Sequence, residues 1–484
     1  MISRMLRLPY ERQVLVIYIF AIFMTVIDGT MVNVALPTMA DDFGVRSSDV
    51  EWIAVGYLLA VATVIPAAGW LGDRFGTKRV FVVSLALFTG ISGLCGAAQT
   101  LDQLVVLRVL QGFGGGLMAP VGGAMLYRAF PMSQRATAAT AVLSVAVIAP
   151  ATGPLLGGIL VDQASWRWIF FINIPIGLVA LVLSRASLRE EIQEEPGRLD
   201  LLGLILSGGA VGLLLYTMTI GPEKGWLSPL VLGLGVVGVV ALIGAIVTEL
   251  RVPEPALLLR LFRDHLFRNV NIAAALIYAG FFGLIFILPI YLQSLRGFSA
   301  FESGLVQSPQ AFGVFLVSNL VGKRAYRVIG PRRLMTVGTA VAAAITCGFA
   351  LIDLDTPLPL IAGMSLARGL SMGLVFVSIQ TAVYATTSLP DTGRATSLFG
   401  TQRQISYALG TALAATVLAA SLGGLDDSAP AVERLAAHQH AFLAVGLIMI
   451  PGIAVSWLVR DDDVAETRGL VRQEEADRGL RTGS

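Results

Sequence analysis

Charge is what this sequence has least of: 14% of its 484 residues are Asp, Glu, Lys or Arg, against roughly 25% in soluble globular domains. A chain that is also 55% hydrophobic cannot hide its apolar surface inside one soluble core. A net charge of +2 gives no basic field for nucleic acid. The two cysteines, Cys95 and Cys347, are too few for a structural zinc site. Both fall in apolar stretches and read as packing residues rather than a disulfide. Three histidines, His265, His438 and His440, sit near loops without metal-ligand spacing. No phosphate-binding Gly-rich loop ending in Gly-Lys-Ser/Thr is present, so ATP is excluded as the energy source. No Ser–His–Asp set or other catalytic pair is visible either. The sequence therefore predicts neither an enzyme nor a cofactor. The first apolar run is too long for a signal-peptide core and lacks a small-residue cleavage site, so it reads as a retained first helix.

What is present is long apolar stretches. Fourteen can be drawn between residues 14 and 459, each near the ~20 residues that cross a bilayer as a helix. Barrel strands would be about 10 residues long and alternating, so an all-α membrane protein follows. With a cytoplasmic N-terminus, twenty-six Lys and Arg fall on the cytoplasmic side and five (Arg46, Arg167, Lys224, Arg296 and Arg434) on the other. The positive-inside rule then puts both termini inside. Longer loops at 185–198 and 249–268 bracket stretches 199–219 and 229–248. The expected division is a six-helix half at 1–186, a linker with two extra helices at 187–265, a second six-helix half at 266–459, and a cytoplasmic tail at 460–484. Arg108 and Arg368, in similar glycine-rich contexts of the fourth and twelfth stretches, hint at the internal repeat common in transporters.

Asp28 is the only carboxylate deep within an expected span. A charge there costs at least ~2.5 kcal/mol, so it marks an ion or substrate path. Arg108 is its natural partner, a guanidinium that stays charged under all conditions. Burial and a neighbouring cation pull a carboxyl in opposite directions, which lets it load and release a proton. Arg368 and Arg403 are the other cations inside spans, each either a static tie between helices or a working group. Gly69-Trp-Leu-Gly-Asp73-Arg74-Phe-Gly76-Thr-Lys78-Arg79 joins the second and third helices. Its small residues permit close helix approach, and Asp73 is placed to meet a cation or a helix N-terminus. Pro150, Gly153, Pro154, Gly157 and Gly158 combine helix-bending prolines with a small-residue face, read as a deformable seam. Asn33, Tyr57, Gln111, Phe281, Phe282, Phe286, Phe376, Gln380, Tyr384, Arg403 and Tyr407 are the candidates to line a central cavity. Its aromatic surface suits bulky amphipathic cations.

With these motifs the chain resembles the fourteen-helix drug:proton antiporters of the major facilitator superfamily. The resemblance runs over nearly the whole chain, through Asp28-Gly-Thr-Met-Val-Asn33, Glu51-Trp52, the 69–79 loop, Leu107-Arg108-Val-Leu-Gln111-Gly112 and Gly153-Pro154. Trp166-Arg-Trp-Ile-Phe-Phe-Ile-Asn173-Ile-Pro175 is the segment most specific to that branch. It implies the major facilitator fold, with Asp28 the proton-coupling acid, Arg108 its partner and the 69–79 loop a cytoplasmic gate. One departure stands out: the second-half copy of that loop, ending at Gly330-Pro-Arg332-Arg333, carries Arg327 where the first carries Asp73.

The expectation is a monomeric, multi-pass protein of the inner (plasma) membrane that exports drug-like, amphipathic or cationic small molecules in exchange for protons. A dedicated exporter of one metabolite, antibiotic, lipid or peptide is the alternative. A non-transporting sensor is a third, against which the intact Asp28, Arg108 and Gly153-Pro154 argue.

Overall fold

The computed structural model describes residues 7–45, 47–191, 200–252, 258–423, 430–465 and 467. Among these residues the chain folds into fourteen helical segments and no strand. They are α1 (Tyr10–Phe43), α2 (47–75, tightened at Ile65–Ala67), α3 (Thr77–Gly96), α4 (Leu101–Ala129), α5 (Arg135–Gln163), α6 (168–187) and α7 (Leu201–Lys224). There follow α8 (Pro229–Arg251), α9 (265–295), α10 (300–329), α11 (331–351), α12 (Leu358–Ala382), α13 (Thr392–Leu422) and α14 (431–457). Twelve are long and apolar enough to cross a membrane; α5 and α10 complete the set. Side-chain oxygens start several of them by accepting from an orphan backbone N–H. Thr100 does so for α4, Asp200 for α7, Ser228 for α8 and Asp264 for α9, and Ser299 with Glu302 forms a capping box on α10.

The packing of α1–α6 recurs in α9–α14. In the first set α1 packs on α5 and α6, α2 on α4, and α3 on α4 and α6. In the second, α9 packs on α13 and α14, α10 on α12, and α11 on α12 and α14. The recurrence reaches the loops. Gly76 and Gly330 precede α3 and α11 with φ of 94° and 88°, a region that favours glycine. The backbone N–H of the second residue of each helix then donates to an acid returning from beyond the sixth helix of its own set. Lys78 N donates to Glu190 (3.1 Å) and Arg332 N to Asp461 (3.2 Å). Residues 459–465 and 467 fold onto the second set, with Val459 and Val464 buried and Tyr326 bonded to Thr467 at 2.9 Å. The rest of the expected tail lies outside the described residues, as do Arg4, Arg46 and Arg198 of the orientation count.

Helices α7 and α8 pack on each other, and α7 alone of the two also packs on both α2 and α13. A side chain at Gly208 would meet the Thr63 carbonyl oxygen at 2.5 Å, and one at Gly212 the Thr63 hydroxyl at 2.7 Å. This small-residue face lets the backbones approach. Helix α8 turns outward, with Val236, Val240 and Leu250 61%, 62% and 63% exposed, as a lipid-facing helix does.

Helix α5 runs as one continuous helix past Pro150 and Pro154, whose side chains lie outside the described residues. One sequence expectation changes here. His438, expected near a loop, is buried within α14, its ring 6.1 Å from that of Tyr291.

Candidate functional site

Asp28 is fully buried on α1, and five other helices converge on it. Its Oδ2 accepts from Arg108 Nη1 at 2.5 Å. Its Oδ1 accepts from Asn173 Nδ2 at 2.8 Å and Gln111 Nε2 at 3.2 Å. Arg108 and Gln111 sit three residues apart on α4, so they share a face, and Arg108 Nη1 also donates to Gln111 Oε1 at 2.8 Å. Arg108 Nε donates to the Ile53 carbonyl of α2 at 3.2 Å, and its guanidinium lies 4.2 Å from the Tyr57 ring centroid. From α3, Ser92 accepts from Asn173 Nδ2 at 3.1 Å, and Cys95 donates to Gln111 at 3.6 Å. Asp28, Arg108, Gln111, Asn173 and Ser92 are each 0% exposed. From α5, side chains at Gly153 and Gly157 would run into Thr30 and Met31 of α1, whereas Gly158 faces open space. The small-residue seam thus touches α1 immediately beside Asp28.

A buried carboxylate is tolerable when paired and hydrogen-bonded. Here Arg108, Asn173 and Gln111 each donate to one of the two carboxyl oxygens. Tyr57 and Gln111, expected to line a substrate cavity, belong instead to this shell. Asn173 stood in the Trp166–Pro175 motif without a role assigned to it, and Ser92 was not singled out from the sequence.

Arg368 occupies the matching place on α12, with no carboxylate bonded to it among the described residues. Its Nε donates to Thr346 at 2.9 Å and its Nη1 to Gln310 at 2.6 Å. Its Nη2 donates to the Gly280 and Phe281 carbonyls, each at 3.2 Å. The guanidinium lies 4.8 Å from the Phe281 ring centroid. Neutral acceptors from α9, α10 and α11 use most of its donors, which is the signature of a static tie.

Aromatic rings join α9, α12 and α13. Phe282 meets Tyr407 at 4.9 Å between centroids, Phe281 meets Phe376 at 4.9 Å, and Tyr278 meets Phe376 at 5.3 Å. Tyr384 links this group to α4 through Tyr127 at 4.5 Å. Gln380 supplies its carbonyl to the Tyr127 hydroxyl at 3.2 Å. Asn33 is exposed on α1, and Phe286 is 36% exposed. Tyr278, Tyr127 and Phe399 join the group unforeseen; the i, i+4 spacing of Phe399, Arg403 and Tyr407 was the available signal.

The hydrogen bonds between α1–α6 and α9–α14 gather at one end of the bundle. Asp73 accepts from Arg128 at 3.0 Å and lies 3.7 Å from Arg394 of α13. Arg128 also donates to the carbonyls of Leu389 at 3.2 Å and Pro390 at 3.3 Å. Arg135 donates to the Tyr384 carbonyl at 2.8 Å, and Thr396 to the Pro120 carbonyl at 3.0 Å. Gly69 is seated here because a Cβ would lie 3.0 Å from the Arg394 backbone. Lys78 Nζ donates to the carbonyls of Arg185 and Leu188 at 3.1 and 2.7 Å, and Arg79 lies 3.5 Å from Glu190. Arg74 is exposed. Burial raises the Glu191 carboxyl above its ordinary range, against the pull of Arg128 at 3.9 Å.

A bundle of apolar helices with a sealed ion pair inside one half, and a charged clasp across one end, defines a multi-span membrane protein. The sequence profile of the Major Facilitator Superfamily matches residues 18–411, and the chain belongs to that superfamily. It is 32% identical over 429 residues to the multidrug transporter protein MdtP of Bacillus subtilis, covering 88% of this chain and 79% of MdtP. It is 34% identical to the multidrug export protein EmrB of Haemophilus influenzae over 403 residues, 81% of this chain and 78% of that one. MdtD of Klebsiella pneumoniae strain 342 is 34% identical over 472 residues, 94% of this chain and 95% of its own length. Among solved structures, a human organic anion transporter shares the fold. Its TM-score is 0.69 at 13% identity, over 93% of this chain and all of that one.

Proposed function

We propose that this chain is a proton-coupled exporter of drug-like small molecules working by alternating access, like the multidrug proteins it is similar to. The observation that carries the reading is Asp28, sealed from solvent and hydrogen-bonded by Arg108, Asn173 and Gln111. A sealed carboxylate loads a proton only when the helices around it part, which ties protonation to the conformational change. The two halves are taken as 1–186 and 266–459, with α7 and α8 inserted between them.

The clasp of Asp73, Arg128 and Arg394 is the cytoplasmic gate in this reading, since the Lys- and Arg-rich loops belong inside. The described state is then closed to the cytoplasm. Substrate enters from the cytoplasm or inner leaflet while Asp28 is a carboxylate, and protonation from the far side accompanies release. Each charge moving inward supplies ~2.3 kcal/mol per 100 mV, and one pH unit adds about 1.4 kcal/mol. The protein works as a monomer in the inner membrane with both termini cytoplasmic.

The test is transport in proteoliposomes under an imposed pH gradient, with a pH dye and a panel of labelled amphipathic compounds. Substrate movement coupled to proton movement in the wild type, lost in Asp28→Asn, is the expected result. Full coupling in Asp28→Asn would remove the proposal's basis.

A further inference from the structure

Arg403 differs from the other two intramembrane arginines. Arg108 is paired with a carboxylate and Arg368 is enclosed by neutral acceptors, whereas Arg403 makes no hydrogen bond or ion pair among the described residues. It lies on α13 between Phe399 and Tyr407, one turn from each, and is only partly buried. Four buried tyrosines stand within electrostatic range of its guanidinium: Tyr18 of α1, Tyr127 of α4, Tyr278 of α9, and Tyr384 just beyond α12. Arg403 therefore sits where both helix sets meet. The Tyr18 hydroxyl is spent on the Ala119 carbonyl at 2.9 Å, and that of Tyr127 on Gln380. The hydroxyls of Tyr278 and Tyr384 have no partner among the described residues.

The remaining charges near this point do not offset Arg403. Asp28 is sealed behind its own shell, and Asp73 is held by Arg128 and Arg394. Arg135, whose guanidinium is 5.9 Å from the Tyr127 ring centroid, adds a second cation on the same side. An uncompensated guanidinium inside a membrane bundle is costly and marks a site where a counter-charge binds. Its planar fork matches a carboxylate, sulfonate or phosphate in a two-point contact. Phe399, one turn away on the same helix, has its ring 6.3 Å from that of Tyr278 and 6.0 Å from that of Tyr384, so two phenol hydroxyls of the same aromatic group are further donors. The rings of Phe282, Tyr407, Phe399 and Tyr278 supply the apolar wall.

We infer that Arg403, with the hydroxyls of Tyr278 and Tyr384, binds the acidic group of an amphipathic aromatic anion, which is the substrate class this exporter takes. The inference rests on the export reading and reverses the charge that the aromatic positions alone suggest. A lipophilic cation stacked on the same rings would have to lie beside Arg403, with like-charge repulsion in a low-dielectric setting.

The experiment uses the full chain in proteoliposomes under a pH gradient, with an aromatic sulfonate (8-anilinonaphthalene-1-sulfonate) and an aromatic monocation (ethidium). The wild type is expected to carry the sulfonate and to carry ethidium poorly. Arg403→Gln should lower the sulfonate rate by about tenfold or more, the effect of losing a charge-assisted hydrogen bond, and Arg403→Lys should lose less. Tyr278→Phe, which keeps the ring, should raise the sulfonate KM by roughly threefold with kcat little changed. If Arg403→Gln does not fold, the lysine and Tyr278→Phe variants still decide the matter. Ethidium transport without sulfonate transport would overturn the anion site and leave export standing. An unchanged sulfonate rate in a folded Arg403→Gln protein would make Arg403 a static tie. Transport of neither probe nor any other compound would bring down export and the anion site together.

Discussion

Asn173 donates to Asp28 at 2.8 Å, while its own amide oxygen is buried with no partner among the described residues. That orphan acceptor explains how one side chain serves both protonation states. With Asp28 ionised, the amide N–H₂ faces it; when Asp28 carries a proton, half a turn of the amide presents the oxygen to the new O–H. Asn173→Leu satisfies neither state. Proton movement per cycle should fall by ten- to a hundredfold, matching the ~1.5–3 kcal/mol of a hydrogen bond to a charged group, while substrate affinity changes little. Stopped-flow pH-dye traces and equilibrium binding separate the two, and equal loss in both would make Asn173 merely structural.

Breaking the Asp28–Arg108 pair from one side should be worse than removing it. Arg108→Ala leaves a buried carboxylate without its cation, which costs about 3–5 kcal/mol, so thermal stability should drop sharply. Asp28→Asn with Arg108→Gln keeps the hydrogen bonds without the charges and should restore most stability but no coupled transport. A double variant as unstable as Arg108→Ala would contradict this account.

Gly69→Val is expected to hold the clasp open, because the Arg394 backbone already lies 3.0 Å from where a Cβ would be. Transport should fall by at least about tenfold, roughly the rate equivalent of 1.4 kcal/mol. The distance between spin labels at exposed Pro131 and Leu389 should lengthen. An unchanged distance distribution would mean that the 69–73 segment does not set closure.

If the substrate is a monoanion leaving as one proton enters, two charges cross inward per cycle. Each is worth ~2.3 kcal/mol per 100 mV, so a potassium-diffusion potential, negative inside, should accelerate export strongly even without a pH gradient. A monocation exchanged for one proton would move no net charge. Insensitivity to potential would point to the cation.

Much of this was legible in the chain because intramembrane charge is conspicuous. Asp28 and Arg108 stand alone in apolar runs, and pairing is the only cheap way to keep both. Asp73 was legible as an acid placed to meet a cation, but its partner Arg394 comes from over three hundred residues away and no local pattern shows it. Tyr57 and Gln111 went to a different neighbourhood because helix rotation, which decides what a side chain faces, is set by packing rather than hydropathy. Asn173 and Ser92 were hidden for the opposite reason: amides and hydroxyls are common in spans and cost little there. Arg368 and Arg403 were indistinguishable as sequence. Only the acceptors crowding one and missing from the other separate them.

The acids that return to α3 and α11 change what counts as the repeated unit. Glu190 and Asp461 meet the same backbone position of their helices, from equivalent points beyond α6 and α14. The structural repeat therefore comprises six helices together with the short stretch that comes back to lock them. A gene split after Glu191 leaves each fragment its own fastener, whereas a cut at the end of α6 strips one from the first. Of two such split genes, the one divided later is the better candidate for reassembly in a living cell.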